Sequence, residues 1–169
     1  SSTGADQAWL LLKLADKLVE RLQKDGMVSL YRDMEAPLIP ILFKMERAGI
    51  LVDKNKLANL SEDFAKTLES LTKKIYKISG KEFNIQSPAQ LADILFVTLG
   101  LPTKGIKKTK SGYSTAAPEL EKLADESPII AMIEEYREVA KLKSTYADSL
   151  PTLVGADGRI HATFSQTVA

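Results

Sequence analysis

The chain has 169 residues, of which 44% are hydrophobic and 27% charged, and its formal net charge at pH 7 is +1. This composition is typical of a globular protein with one domain-sized core, and the near-neutral balance excludes an overall basic field, so any nucleic-acid signal must be local. With no cysteine and a single histidine, His161, the sequence excludes disulfides, thiolate metal sites and multi-histidine metal sites. No apolar run approaches the roughly 18 residues of a membrane-spanning helix, so we expect no membrane partner.

The first 53 residues predict two helical segments and a connecting link. The pattern of residues 6–22 is strongly helical and starts so abruptly that we expect the chain to be cut from something longer. Residues 28–47 are also helical in pattern, but Pro37 and Pro40 argue against one unbroken helix. A short extended link follows, and its last residue, Asp53, can cap the next helix.

That next helix, over residues 57–79, is the clearest element in the sequence. Its apolar residues recur every three or four positions and leave polar residues on the other faces. A narrow stripe of this kind indicates a long helix with one partner rather than a helix enclosed by a core. The stripe consists of Leu57, Leu60, Phe64, Leu68, Leu71, Ile75 and Ile78.

Shorter elements are predicted between residues 80 and 128. The run Ser87-Pro88-Ala89-Gln90 is typical of a capping box with proline at the first helical position, and it opens a helix through Leu99. A lysine-rich loop with two glycines spans 104–112. After it, Thr115 is predicted to cap a short helix that runs through Asp125.

A second long helix is predicted over residues 128–150. Because each long helix has one apolar stripe, we expect the two to pair antiparallel, with the residues between them forming a small helical tip at their far end. The alternating sequence GRIHATFSQTVA then predicts a β-strand, for which the chain offers no partner strand. The expected fold is therefore mainly α: a long antiparallel helix pair with a small tip subdomain, plus a short C-terminal β-strand or hairpin.

Two lysine clusters have no acidic residue among them. The first lies at the end of helix 57–79, where cations complement a helix C-terminus, and a solvated face is the favoured interpretation. The second lies in the loop 104–112, where a solvated loop and a binding site are equally open. The clusters are Lys73, Lys74, Lys77 and Lys81, and Lys104, Lys107, Lys108 and Lys110.

A third cluster lies on the last helix. At 100° per residue, one arc of about 100° opposite the apolar side contains Arg137, Lys141, Ser144, Thr145 and Asp148. Cations and hydroxyls in a line suit successive phosphates of a nucleic-acid backbone, although an ordinary polar face remains the alternative. Lys143 points into the apolar arc, so either its chain snorkels or it has a polar neighbour.

The dimensions of the helix pair fit the nucleic-acid alternative. A pair of about 24 residues spans about 36 Å, which corresponds to about ten base pairs of duplex. Such a pair suits a contact along one turn of duplex made through the backbone rather than through base sequence.

Five segments follow one another in an order that resembles a known family: MEAPLIPILFKMERAGILVD, FNIQSPAQLADILFVTLGLP, KKTKSGYST, YREVAKLKSTYADSLP and GRIHATFSQTVA. They resemble the thumb region of the family A DNA polymerases, as found in bacterial DNA polymerase I. The likeness covers nearly the whole chain. It implies that residues 1–25 end a 3′–5′ exonuclease-like domain, that 26–150 form the thumb, and that 151–169 begin the palm.

The resemblance also implies a set of DNA-binding residues, because the family's thumb grips the primer–template duplex along its minor-groove side and its sugar-phosphate backbone. The tip motif of the family matches Asn84, Ser87, Lys108, Thr109, Ser114 and Thr115, and the helix motif matches Arg137, Lys141, Ser144 and Thr145. From the loop cluster we add Lys107 and Lys110. The Lys73–Lys81 run has no counterpart in these motifs.

The resemblance places catalysis outside this chain. The family's catalytic carboxylates, which hold two metal ions, lie in the palm beyond residue 169, so we expect a non-catalytic fragment without a cofactor and a parent polymerase that uses Mg²⁺. Its expected partners are primer–template duplex DNA and the rest of the polymerase (palm, fingers and exonuclease-like domain), in a monomeric protein of the bacterial cytoplasm. Two alternatives remain: a helical protein–protein module whose lysines are solvated, and an independent enzyme. The second would need a carboxylate cluster or a base–nucleophile pair, and the sequence shows neither.

Overall fold

The structure, a computed structural model, describes residues 4–109 and 112–167. It is mainly helical, as predicted, with short antiparallel strands. In chain order the elements are α1 (Gly4–Lys24), α2 (Val28–Leu30), α3 (Ala36–Ala48), β1 (Ile50–Leu51), α4 (Lys54–Ser79), α5 (Pro88–Ala92), β2 (Lys108–Thr109), β3 (Gly112–Tyr113), α6 (Ala117–Leu120), α7 (Ile129–Leu142) and β4 (Arg159–Ile160). Three π-helical turns, Tyr31–Glu35, Asp93–Thr98 and Lys143–Ala147, continue α2, α5 and α7.

The chain divides into two compact units, one of residues 1–51 with 159–169 and one of residues 52–158. The domain boundaries implied by the family resemblance, at 25/26 and 150/151, concern a larger polymerase and stay a prediction. Among the described residues, no helix is both long enough and apolar enough to span a membrane.

In the first unit, the segment predicted to be broken by prolines is helical, with a π-helical turn before Pro37 and with Pro40 inside α3. Of the strand predicted over residues 158–169, only Arg159–Ile160 forms a strand in the described part of the chain, because its partner β1 is two residues long. Strand β4 pairs antiparallel with β1, with Ile50 opposite Ile160. The sequence interpretation treated residues 50–51 as a mere link because two apolar residues form too short a pattern to indicate a strand.

Glycine is required where this link leaves α3. Gly49 has φ +63° and ψ 179°, a conformation that side chains disfavour. A Cβ there would lie 2.8 Å from the His161 ring and 3.0 Å from the Ile160 carbonyl oxygen. The close approach of strand β4 to residue 49 therefore depends on the missing side chain.

The second unit contains the helix pair. Helix α4 begins after Asp53, whose carboxylate accepts from the Lys56 N–H at 3.0 Å as predicted, and it ends at Gly80 in the left-handed conformation. Ser61, near the start of α4, donates to Asp148, beyond the end of α7, at 2.6 Å. The two helices are therefore antiparallel, which confirms the expected fold.

The apolar core of this unit lies at the tip, which we define as residues 80–128, and at the ends of α4 and α7 next to it. Its buried side chains come from the helical elements there and from the loops around Ile85 and Ile106. They are Ile75, Ile85, Leu91, Ile94, Leu95, Ile106, Leu120, Leu123, Ile129, Ile130 and Ile133.

Two capping predictions for the tip need correction. Ser87 does accept from the Gln90 N–H, but the Gln90 side chain accepts from the Asn84 N–H at 2.7 Å instead of returning to Ser87, so half of the capping box forms. Thr115 does not cap α6. That helix begins after Ala116, and the Thr115 hydroxyl has a partner on α7 instead.

Candidate nucleic-acid interface

Of the predicted site residues that the structure describes, six border two open depressions that share Arg137: Thr109, Ser114, Thr115, Arg137, Lys141 and Ser144. The first has a volume of about 450 Å³ and lies between the start of α5, the β2–β3 hairpin and α7. The second, of about 280 Å³, continues along α7 past Lys141 and Ser144. We call the two together the groove. Its walls include Pro88, Ala89, Thr109, Tyr113, Ser114, Thr115, Ala116 and Arg137, and then Gln86, Ala140, Lys141 and Ser144.

The α7 part of the groove presents a cation and a hydroxyl to solvent. Lys141 and Ser144 are exposed and line the same depression, and the Ser144 hydroxyl donates to the Lys141 carbonyl oxygen at 3.3 Å. Thr145 is exposed as well, but it is not among the lining residues. The predicted arc assumed 100° per residue, and the π-helical turn that begins at Lys143 no longer follows that spacing.

The same π-helical turn explains where the side chains of Lys143 and Asp148 lie. The Asp148 N–H bonds to the Lys143 carbonyl oxygen five residues earlier, at 2.9 Å. Lys143 donates to both carboxylate oxygens of Asp148, at 2.9 and 2.8 Å, and to the Ser61 hydroxyl at 2.9 Å. Asp148 therefore contacts α4 rather than the predicted polar arc, and Lys143 has the polar neighbour that was one of its two predicted explanations.

This network perturbs the titration of Asp148. The hydrogen bond from Lys143 first, and the one from Ser61 second, hold the pKa of the Asp148 carboxyl below its usual value, because both favour the charged form. Lys143 is thus neutralised inside the protein. Of the two lysines in the sequence KLKST, Lys141 is the one that the fold leaves exposed at the groove.

Arg137 connects α7 with the tip. Its Nη1 donates to the Thr115 carbonyl oxygen and its Nη2 to the Thr115 hydroxyl at 3.2 Å. Thr115 is 4% exposed, so in this structure its hydroxyl faces the guanidinium and not solvent. Burial lowers the pKa of Arg137, and the nearby Glu134 carboxylate opposes that shift.

Two lysines of the loop cluster lie on the β2–β3 hairpin or directly before it. Lys107 and Lys108 are exposed, and the Lys108 ammonium lies 5.5 Å from the centre of the Tyr113 ring. The Thr109 hydroxyl donates to the Gly112 carbonyl oxygen at 2.9 Å. Lys110, also predicted to bind DNA, lies outside the described residues.

Glu119 holds the start of the hairpin. Its carboxylate accepts from the Lys107 N–H at 3.0 Å and from the Lys122 ammonium at 2.7 Å. The Lys122 bond first, and the backbone bond second, lower the pKa of Glu119. Neither Glu119 nor Gln86 in the groove is predictable from the sequence, because neither has a charge cluster or a periodic pattern around it.

The remaining tip residues in the predicted set form a local turn. Asn84 is exposed, and its side-chain oxygen accepts from the Gln86 N–H at 3.0 Å. Ser87 is half-buried and caps α5. Their side-chain oxygens thus have backbone partners in this structure, while the amide nitrogen of Asn84 projects from an exposed residue.

Two lysines of the Lys73–Lys81 run have acidic partners, one nearby on the same helix and one more distant in the sequence. Lys73 pairs with Glu69 at 2.6 Å, one helical turn earlier, and Lys81 pairs with Asp93 on the other side of the α4–α5 connection at 3.1 Å. These pairs favour the solvated-face interpretation of the first lysine cluster. Among residues 4–109 and 112–167, the structure brings together no group of three Asp, Glu or His side chains that could hold a metal ion.

Comparison with known proteins gives the family of this chain. The family model described as DNA polymerase family A matches residues 54–169. The chain belongs to DNA polymerase family A. Among curated members of the family, DNA polymerase I of Streptococcus pneumoniae serotype 4 (strain ATCC BAA-334 / TIGR4) is 45% identical over 157 residues, which are 93% of this chain and 18% of that protein.

Further members of family A are also similar to this chain. DNA polymerase I of Bacillus subtilis (strain 168) is 40% identical over 163 residues, 96% of this chain and 18% of that protein. This chain thus spans about a fifth of the length of the curated relatives that it matches. A solved structure, the POL domain of Pol1 from M. smegmatis in complex with DNA primer-template and dNTP, is similar to this chain with a TM-score of 0.83 and 39% identity. The match covers 94% of this chain and 28% of that one. The family resemblance predicted from the sequence is confirmed.

Proposed function

We propose that this chain grips primer–template duplex DNA for a family A DNA polymerase during replication and repair, through contacts to the backbone and the minor groove. The observation that supports this most directly is the groove. It joins Lys141 and Ser144 of α7 with Thr109 and Ser114 of the hairpin on one continuous surface. Lysines and hydroxyls along a line are suited to phosphate oxygens of a nucleic-acid backbone.

The charges around the groove are consistent with this role. Lys141 is exposed in the groove and Lys108 is exposed on the hairpin that borders it, whereas Lys143 is neutralised by Asp148 and Lys73 by Glu69. The relative from M. smegmatis has primer-template DNA bound to its polymerase domain. Because this chain is similar to that protein, we propose that the equivalent part of this chain also binds primer–template DNA.

We further propose that the chain does not catalyse nucleotide addition by itself, and that the whole polymerase uses two Mg²⁺ ions for that reaction. Carboxylates would hold those metal ions, and the positive charge of the ions would neutralise the negative charge that develops on the phosphoryl group. The acidic residues described here do not fit such a centre, since no three of them come together. A primer-extension assay with Mg²⁺ on the 169-residue chain should give no product, and elongation of the primer would contradict the proposal.

The binding role is tested by fluorescence anisotropy of a labelled primer–template duplex, beside a random-sequence duplex, from about 25 to 200 mM salt. We expect binding that weakens steeply with salt and is similar for both duplexes. Lys141→Ala should weaken binding to both duplexes alike and reduce the slope of log K against log [salt] by about 0.9, the value for one phosphate contact.

Lys73→Ala is the matched control, because it removes the same charge from a lysine that is paired with Glu69 outside the groove. We expect it to leave the slope near that of the unmodified chain. Equal effects of the two substitutions, or a loss at Lys141 confined to one DNA sequence, would contradict the groove assignment. Absence of binding at about 25 mM salt would favour the protein–protein alternative for the isolated chain.

A further inference from the structure

The guanidinium of Arg137 is directed at the protein rather than at solvent. Two of its nitrogens donate to two acceptors of one residue, the carbonyl oxygen and the hydroxyl of Thr115. The planar guanidinium fork can satisfy two acceptors at once, which the single ammonium of lysine cannot do with the same geometry. The side chain of Arg137 is therefore suited to holding Thr115 in one position.

Thr115 in turn determines where the hairpin ends. The preceding residue, Ser114, closes the hairpin, because its N–H donates to the Lys107 carbonyl oxygen at 2.8 Å. The Ser114 hydroxyl then accepts from the Ala116 N–H at 3.3 Å, so the backbone is fixed on both sides of Thr115. A contact from α7 to Thr115 therefore reaches the hairpin that presents Lys108.

The two ends of the hairpin are held by different parts of the unit. At its start, Glu119 binds the Lys107 N–H. At its end, Arg137 binds Thr115 from α7, 22 residues later in the sequence. The hairpin itself is a pair of two-residue strands, and such a short pair is marginal without outside support. The contact from Arg137 supplies that support on the side of the groove.

Arg137 is also less suited to binding phosphate than Lys141 is. It is half-buried, its desolvation lowers its pKa, and two of its donors are already used on Thr115. Lys141, one helical turn further along α7, is exposed in the same groove. Because the guanidinium has five N–H donors, a phosphate could still use the remaining three, but only from a side chain that the bonds to Thr115 already hold in place.

We infer that Arg137 is a positioning residue, which holds the β2–β3 hairpin against α7 through Thr115 and so sets the distance between Lys108 on the hairpin and Lys141 on the helix. Its importance for DNA rests on the function proposed above, but its effect on the hairpin does not. The inference reassigns two members of the predicted DNA-binding set, because Arg137 and Thr115 shape the groove. The other members, Lys108, Lys141 and Ser144 among them, remain candidates for the phosphates.

The experiment compares Arg137→Lys with Lys141→Arg in the 169-residue chain, because each variant keeps the charge and exchanges the same two residue types. Amide hydrogen exchange is followed by NMR without DNA. We expect Arg137→Lys to speed exchange of the Ser114 N–H, which closes the hairpin, by about tenfold, the loss expected for a hydrogen bond to a charged group. Lys141→Arg should leave that exchange unchanged.

A second measurement, DNA binding as a function of salt, separates positioning from phosphate contact. If Arg137 positions the hairpin, Arg137→Lys and Arg137→Gln weaken binding by similar amounts. If Arg137 binds a phosphate instead, Arg137→Lys retains binding and Arg137→Gln alone lowers the salt slope by about 0.9.

Thr115→Val covers the case in which an Arg137 variant fails to fold, since it removes the hydroxyl acceptor and leaves the charge and the carbonyl oxygen. It should speed Ser114 exchange in the same direction by a smaller factor. Unchanged exchange in both Arg137→Lys and Thr115→Val would overturn the inference, whatever the DNA measurements show. Faster exchange in a chain that fails to bind DNA would instead overturn the proposed function and leave the positioning role of Arg137 standing.

Discussion

The two ends of the α4–α7 pair are stabilised by different interactions. Towards the tip, α4 contributes the buried side chains Leu71, Ile75 and Ser79, and α7 contributes its first isoleucines. Towards the other end, which we call the base, the described residues 54–70 of α4 include no buried side chain. There the helices are joined by the network of Ser61, Lys143 and Asp148.

This difference shows how one helix pair can combine rigidity with a charged surface. The free energy that apolar burial contributes at the tip is proportional to the buried area and does not depend on direction. The hydrogen bonds of the base network, in contrast, require particular atoms at particular distances. The base network also neutralises Lys143 beside an exposed Lys141. Of Lys141 and Lys143, the base network therefore leaves only Lys141 exposed at the groove. The folding of the helix pair depends on the tip core.

The largest expected effect tests the tip core. Leu71→Ala should lower the free energy of unfolding by about 3 kcal/mol, because Leu71 is 4% exposed and its removal leaves a cavity. Leu60→Ala is the matched control on the same helix and the same apolar stripe, and since Leu60 is 45% exposed it should cost less than about 1 kcal/mol. Urea denaturation followed by circular dichroism measures both. Similar losses for the two variants would contradict the contrast between tip and base.

An intermediate loss of stability is expected when a serine hydroxyl is removed near either end of α4. The Ser79 hydroxyl donates to the Lys81 carbonyl oxygen at 2.7 Å, and the Ser61 hydroxyl donates to Asp148. Each substitution by alanine should cost about 1 kcal/mol at neutral pH, the net value of one hydrogen bond. In acid, the cost of Ser61→Ala should shrink because its acceptor becomes protonated, while the cost of Ser79→Ala should not change. Thermal unfolding at both pH values distinguishes the two.

The smallest effect concerns the charge of Asp148, since an ion pair exposed to solvent contributes little. The pKa of Asp148 is depressed in the folded state by Lys143 and then by Ser61. Its contribution to stability is therefore fully present above the unfolded pKa of about 3.9 and is lost as the pH falls through the lower folded pKa. The stability difference between the unmodified chain and Asp148→Asn should be constant from about pH 7 to pH 5 and should shrink below about pH 4.

Glu138→Gln, which changes an exposed carboxylate on α7, is the control for that measurement. Denaturant unfolding of the three proteins across the pH range gives the comparison. A difference between Asp148→Asn and the unmodified chain that persists unchanged in strong acid, or one that disappears already near neutral pH, would show that the depressed pKa does not stabilise the base.

The long helices could be predicted from the sequence because their apolar residues repeat at helical spacing. The stripe from Leu57 to Ile78 identified α4 and the need for one partner helix. It could not show that the half containing Leu60 is exposed and the half containing Leu71 is buried, since both halves repeat alike. Burial depends on what the tip residues place against the helix, and those contacts are distant in sequence.

The sequence was sufficient to predict which residues of the candidate site lie together, but not which bonds their side chains make. Charge and spacing indicated Lys141 and Ser144, which the structure does bring together in one groove. Thr115 was interpreted as a helix cap because threonine before a helix usually is one, but Arg137 competes for its hydroxyl from 22 residues away. The mismatch of Lys143 with its helix face was a real signal of a polar partner, although the sequence does not name Ser61 or Asp148.

The π-helical turn Lys143–Ala147 has a consequence for chain length. Such a turn corresponds to one residue inserted into an α-helix. Because the turn absorbs that residue locally, deletion of one codon after Lys143 and inside the turn should restore the α-helix and leave the orientation of Asp148 little changed. Deletion of one codon in the regular part of α7 would instead rotate the helix beyond it by about 100° and would part Asp148 from Ser61. The gene should therefore tolerate a change in residue count inside the turn better than the same change a few codons earlier.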